Sequence, residues 1–289
     1  TVASHEGRPR AKVGSRMLQR EARKNLVRTA FGMMELIFHA TVRNVRKNHG
    51  NPVIGLLLNI LQTVLMILVF YFLFQILGLR NNAIRGDYLL YVMSGIFMFM
   101  THIKALGAVA SSGGPTSAMM KHAPMNTLVA ISSAALGSLY TQVLSAAVVL
   151  YVYHAAFTPI EFHNLPATIA MLLISWTSGV AIGTIMLALK PWQPETVGIL
   201  TMLYQRANMI ASGKMFVANT MPTSKLALFD WNPLFHTIDQ GRGFIFLNYN
   251  PHYSNYMYPI KVTLVLLVIG LMLESFTRKH ASISWAARQ

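Results

Sequence analysis

Cysteine is absent from the 289 residues. That excludes disulfides and thiolate metal sites. Acid is nearly as scarce, with nine Asp and Glu against 24 Lys and Arg. Charged residues of both signs make up only 11% of the chain, where a soluble domain carries about 25%. Enzyme signatures are missing as well. No G-x-x-x-x-G-K-[ST] is present, so the chain binds no ATP through a P-loop, and no H-E-x-x-H pair suggests a zinc hydrolase. Ten histidines are scattered singly, and no Ser/His/Asp set stands out by spacing. No sequence repeat is evident. The first 16 residues are polar and basic, without the apolar core and cleavage site of a secretory leader.

What the chain has instead is apolar length. Hydrophobic residues make up 54%, gathered into long runs. About 18 consecutive apolar residues suffice to cross a bilayer as a helix, and in lipid the backbone must satisfy its own hydrogen bonds. The expected fold is an all-α integral membrane protein of six transmembrane helices preceded by an amphipathic interfacial helix. The spans fall at about 53–77, 88–110, 128–153, 167–189, 196–217 and 259–276. Residues 1–15 read as a disordered basic terminus, 16–50 as the amphipathic segment, 51–277 as the transmembrane domain and 278–289 as a tail. Along the amphipathic segment Val27, Ala30, Phe31, Met34, Ile37, Phe38, Val42 and Val45 recur at spacings of three and four. Such a helix lies in the headgroup region or packs on a partner.

The net charge of +15 alone would admit nucleic acid. Its concentration before the first span, without any nucleic-acid-binding signature, points to membrane lipid instead. Six spans put both termini on one side, and basic flanks assign that side to the cytoplasm as a bias.

Polar residues inside the spans carry the sharper signal. The fifth run contains Gln205, Arg206, Asn208 and Lys214, and a charge at the bilayer centre costs at least about 2.5–3.5 kcal/mol. These side chains face protein or water. They line a substrate path or form a structural network, and Lys214 could also snorkel. His102 and Lys104 interrupt the second run, His102 as a packing or pore residue and Lys104 close enough to the inner face to snorkel. Ser175, Gly179 and Gly183 form a small-residue stripe that lets the fourth helix approach a neighbour or a second subunit. The outer loop before the last span, which also holds Arg242, is aromatic, from Trp231 through Tyr258. It serves as an interfacial belt or as a stacking surface for sugar rings.

Three stretches then carry a resemblance. Leu36 to Gly55 (LIFHATVRNVRKNHGNPVIG), Met119 to Leu136 (MMKHAPMNTLVAISSAAL) and Trp231-Asn232-Pro233-Leu234-Phe235-His236 resemble the membrane subunit of type-2 ABC exporters. Within that family they are most similar to capsular polysaccharide and O-antigen permeases. The resemblance covers nearly the whole chain. It implies a bacterial inner-membrane protein acting as a homodimer with two ATP-binding cassette subunits, and periplasmic export proteins as further partners. This chain would hold no cofactor, with ATP and Mg on the partner subunit. Lys121, His122, Pro124, Met125 and Asn126 would form the coupling segment set against that ATPase. The polymer would pass between the two copies, along Gln205, Arg206, Asn208, Lys214 and Trp231. Two other functions fit the same architecture: export of a small molecule or lipid, and a structural subunit that has lost transport.

Overall fold

A computed structural model describes residues 31–46, 51–76, 78, 84, 86–113 and 127–286. Among the described residues the regular elements are all helical. Helix α1 covers 31–46. It is followed by α2 (Pro52–Ile76), α3 (Tyr88–Ala110), α4 (Thr127–Ala156), α5 (Leu165–Leu189), α6 (Pro194–Ala211), a one-turn helix α7 (Thr223–Leu226), α8 (Pro233–Ile245) and α9 (Met257–Ala286). The end bearing α1 and the α3–α4 and α5–α6 connections is called proximal here, and the opposite end distal.

Local chemistry sets the boundaries. Asp87 caps α3, its Oδ1 accepting from the Leu89 and Leu90 amides at 2.9 and 3.4 Å, while the Tyr153 hydroxyl donates to its other oxygen. Asn164 caps α5 by accepting from the Ala167 amide at 3.1 Å. Asn232 caps α8 by accepting from the Leu234 amide at 3.0 Å. Pro52, Pro194 and Pro233 open their helices, where a missing amide hydrogen costs nothing.

Among the described residues five helices are long and apolar enough to cross a membrane: Val53–Ile76, Tyr88–Ala110, Thr127–Ala156, Leu165–Leu189 and Met257–His280. The sixth expected crossing, at 196–217, is not one continuous span. Helix α6 has 18 residues, about 27 Å at 1.5 Å per residue against a core of about 30 Å. It also carries Glu195, Gln205, Arg206 and Asn208. It stops at Ala211, and the chain turns through Gly213, whose φ of +73° lies in the left-handed region.

Helix α3 is the centre. It is buried over most of its length, whereas α2 and α9 are largely exposed. It packs chiefly on α5, with α4, α8 and α2 around it. Lipid tails are as apolar as leucine, so association inside the membrane depends on close packing and hydrogen bonds. Both are present. A Cβ at Gly179 would stand 2.3 Å from the His102 carbonyl oxygen, and one at Gly183 2.8 Å from that of Leu106. Ser175 on the same stripe donates its hydroxyl to the Met98 carbonyl at 2.6 Å. The stripe therefore faces α3. Trp176 Nε1 ties α5 to the Ala135 carbonyl of α4 at 2.9 Å. Thr277 of α9 donates to the Ala188 carbonyl at 3.0 Å.

The part of the amphipathic segment that is described is helical, and Phe31, Met34 and Phe38 are exposed on it. It is also anchored to the bundle: Asn44 donates to the Ser133 hydroxyl of α4 at 3.0 Å, and Val45 packs beside Gly137. Its earlier residues, the disordered-terminus reading for 1–15 and the coupling residues Lys121, His122, Pro124, Met125 and Asn126 lie outside the described residues.

Candidate translocation site

At the distal end α8 is wedged among α3, α5 and α9. The His163 and Asn164 amides donate to the Ile245 and Phe244 carbonyls at 3.2 and 2.8 Å, fixing the C-terminus of α8 to the loop before α5. Arg242, which sequence reasoning places in an outer loop, is completely buried here, at 0% exposure. Its Nη1 donates to the carbonyls of Gly213 at 2.9 Å and Phe216 at 2.7 Å, and its Nη2 to that of Lys214 at 2.6 Å. The guanidinium lies 4.2 Å from the Tyr91 ring centre. Gly95 makes room for it, since a Cβ there would come within 2.7 Å of Nη2. The physical role is plain. The break after α6 frees backbone carbonyls in the buried interior, and one planar donor fork satisfies three of them.

Lys214 follows that break and is 2% exposed. Its Nζ stands 3.6 Å from the Phe99 ring centre and 4.6 Å from that of Phe70, with no hydrogen-bond acceptor among the described residues. Its amine is held between aromatic faces, which attract it in its protonated form. Asp239 of α8 is buried too. It accepts from the Tyr249 hydroxyl at 2.5 Å, the Ser254 hydroxyl at 2.7 Å and the Ala218 amide at 3.3 Å. Burial and the Asp239 charge push the Tyr249 phenol up, so it stays a donor.

A second polar chain crosses the middle of the bundle. His102 Nδ1 lies 3.2 Å from the Ser175 carbonyl and 2.8 Å from the Ser178 hydroxyl, and its Nε2 lies 3.0 Å from the Tyr204 hydroxyl. A carbonyl only accepts, so Nδ1 carries the proton and Nε2 accepts from Tyr204. One turn along α6, Asn208 accepts from Asn232 Nδ2 at 2.9 Å, and Asn232 also donates to the Ala211 carbonyl. The N-P-L-x-H stretch owes its first residue to this network. His236, two residues after Leu234, accepts at Nδ1 from the Asn255 amide and donates from Nε2 to the Asp230 carbonyl at 2.7 Å.

The five expected path residues therefore do not share one surface. Asn208 and Lys214 are buried in the packing between helices. Trp231 is 66% exposed at the distal end, its indole donating to the Leu228 carbonyl. Arg206 is exposed on α6 among Met202, Leu203, Met209 and Ile210. Gln205 lines a large proximal cleft of about 1940 Å³ bounded by α1, α2, α3 and α4. The aromatic loop divides likewise: Phe235, Phe246 and Tyr249 are core, while Trp231, Tyr253 and Tyr256 are exposed. Lys104, expected to snorkel, instead donates to Gln62 Oε1 at 2.6 Å across that cleft.

Sequence reasoning missed Arg242, Asn59 and Gln142. Asn59 of α2 donates to Gln142 at 3.3 Å and to the Ser145 hydroxyl at 2.8 Å on α4. The signal was available for these two, as amides inside apolar runs, but only the partner helix shows that they meet.

The arrangement combines a membrane-spanning bundle, a broken polar helix near the end of the chain and a short buried helix before the last span. The family model described as "ABC-2 type transporter" matches residues 35–246, most of the chain. The chain belongs to the ABC-2 type transporter family. The search of curated proteins returned no match. Family membership makes this permease the membrane-spanning subunit of an ABC exporter and not its ATPase, which is a separate ATP-binding cassette subunit. The match begins within α1 and ends one residue past α8, so α1 and the Arg242 wedge belong to the permease domain itself.

Proposed function

We propose that this permease exports a polysaccharide or lipid-linked glycan across the bacterial inner membrane as a pair of identical copies. In this reading both termini are cytoplasmic, the proximal end faces the ATPase, and Lys121, His122, Pro124, Met125 and Asn126 contact that subunit, which binds ATP and Mg. Periplasmic proteins receive the product at the distal end.

The observation that carries the paired arrangement is the surface of α6. Arg206 lies exposed among apolar side chains there, and α6 makes only slight contact with α3 and α5. An arginine at membrane depth does not face lipid tails. A second copy across α6, with a watered path between, gives it a polar surrounding. Trp231, Tyr253 and Tyr256 at the distal end provide faces on which sugar rings stack. Asn208 ties the end of α6 to the start of α8 beside the path, and Lys214 lies among aromatic rings after the break.

Replacement of Arg206 by Leu tests the reading in the intact complex. Export of surface glycan falls about tenfold, the worth of one charge-assisted contact. Polymer accumulates inside the cell, and the ATPase subunit still co-purifies. Wild-type glycan export by R206L, at equal expression, refutes the reading.

A further inference from the structure

The distal halves of α4 and α5 stand apart. The two helices meet in the proximal half, where Trp176 Nε1 donates to the Ala135 carbonyl at 2.9 Å, and are otherwise little in contact. Between their distal halves lies a crevice of about 190 Å³. Phe97 and Met98 of α3 and Ala146 of α4 form its buried floor. Phe162 and Ile245 close its distal end. The bonds from the His163 and Asn164 amides to the end of α8 hold that cap in place. Val143, Leu165 and Ile169 stand at its mouth, and each is exposed.

Polarity and shape decide what enters. Among the described residues that line the crevice, Ser94 and Thr168 alone have hydroxyl, amide or charged side chains. Both hydroxyls already donate to nearby carbonyls, Ser94 to Tyr91 at 2.8 Å and Thr168 to Asn164 at 2.9 Å. A buried water needs about two to four polar partners, and these walls do not supply them. An apolar cavity of about 150 Å³ stays dry and takes benzene, and this one is larger. It runs from Leu165 to Leu172 on α5 and from Val143 to Leu150 on α4, about 10 Å at 1.5 Å per residue, or roughly a third of the hydrocarbon core. Its volume over that length gives a section of about 18 Å². That is the width of one unbranched hydrocarbon chain. A methyl-branched isoprenoid chain or a sterol ring is wider.

We infer that the crevice between α4 and α5 binds one straight acyl chain of a phospholipid in the distal leaflet. Its mouth is continuous with the lipid-facing surfaces of the two helices, where Tyr151, Val152 and Leu173 are exposed. A chain therefore enters from the bilayer without leaving hydrocarbon. Burial of apolar surface as such gains nothing in lipid. A chain that fills the gap gains the dispersion contacts that close packing supplies. It thereby becomes part of the packing of α3, α4 and α5. The site is separate from the α6 path and independent of which molecule the permease exports.

Photocrosslinking of the full chain in phospholipid vesicles tests the site. The probe is a trace of phosphatidylcholine carrying a diazirine near the middle of one straight acyl chain. Adducts are mapped by mass spectrometry on the floor residues Phe97 and Met98 and on the lipid-facing residues Tyr151 and Val152. In vesicles of diphytanoyl phosphatidylcholine, whose chains are methyl-branched, the probe labels the floor. In vesicles of dimyristoyl phosphatidylcholine, whose chains are straight, floor adducts fall about tenfold by mass action, and those on Tyr151 and Val152 change little. Ala146→Leu fills the floor and removes its adducts while those on Tyr151 and Val152 stay, which separates a plugged site from a lost fold. Ala147→Leu, at an exposed wall position, does the same if A146L is not monodisperse. Equal floor labelling in the two kinds of vesicle shows no selection for straight chains and overturns the inference. Adducts confined to Tyr151 and Val152 show ordinary surrounding lipid and overturn it too, as do undiminished floor adducts in the plugged variants. No ATPase subunit is present, so the outcome does not depend on transport.

Discussion

Replacing Arg242 by Met keeps the length of the side chain and removes its donors. In the native protein Arg242 satisfies the carbonyls of Gly213, Lys214 and Phe216. Each buried acceptor left unpaired costs about 1–3 kcal/mol. The sum is reduced because the guanidinium no longer has to be desolvated. A net loss of about 3–5 kcal/mol follows, the range for breaking a buried charged group's contacts. At roughly 2–4 °C per kcal/mol for a chain of this size, thermal inactivation in detergent moves down by about 10 °C. Arg242→Lys recovers little, because an ammonium does not reach three carbonyls with a planar fork. Lys214→Met is the contrast. It removes an amine that has aromatic faces and no hydrogen-bond acceptor around it among the described residues, so stability changes by less than about 1 kcal/mol or rises. The assay is the fraction of monodisperse protein left after heating, followed by size-exclusion fluorescence. An R242M protein as heat-resistant as wild type, or K214M losing more than R242M, refutes this account of the break after α6.

Other consequences are simpler. Gly179→Val drives methyl groups into the His102 carbonyl, already 2.3 Å from a Cβ position; it separates α5 from α3, costs at least about 1–3 kcal/mol, and is read as loss of monodisperse protein. His102→Leu strips the Tyr204 hydroxyl and the Ser178 hydroxyl of a partner and lowers stability by about 1–3 kcal/mol, measured by the same heating assay. Asn59→Leu frees Gln142 and Ser145 and loosens α2 from α4 by a similar amount, seen as faster proteolysis of α2. Trp231→Ala, at an exposed position, leaves heat resistance within about 0.5 kcal/mol of wild type, so any loss of glycan export in W231A reports on function.

The spans were legible because lipid imposes a strong rule. Tyr88–Ala110 has the same limits in sequence and structure, since Asp87 caps it and the apolar run ends at Ser111. The small-residue stripe was legible as a close approach, and the structure identifies α3 as its neighbour. The sixth crossing was misread in kind. Apolar residues continue from Thr196 to Val217, but Gly213 adopts a left-handed turn that hydropathy does not register. Arg242 was misplaced for a related reason. A short stretch holding Asp239, Gln240 and Arg242 has the composition of a loop, and only the carbonyls freed around Gly213 explain why it is buried. On sequence alone Lys104 fits a snorkelling position, because Gln62, its acceptor, is remote in sequence. Polar groups that meet across helices leave a trace in sequence as interruptions, but not as pairs.

The central claim is that this chain is the membrane half of an ATP-driven exporter. Its most direct test is isolation of the full chain from native membranes in mild detergent, with identification of bound proteins and assay of ATP hydrolysis. The account predicts a stoichiometric ATP-binding cassette subunit, ATPase activity that disappears when that subunit is removed, and none from the chain alone. A stable membrane complex containing the chain but no such subunit would contradict it.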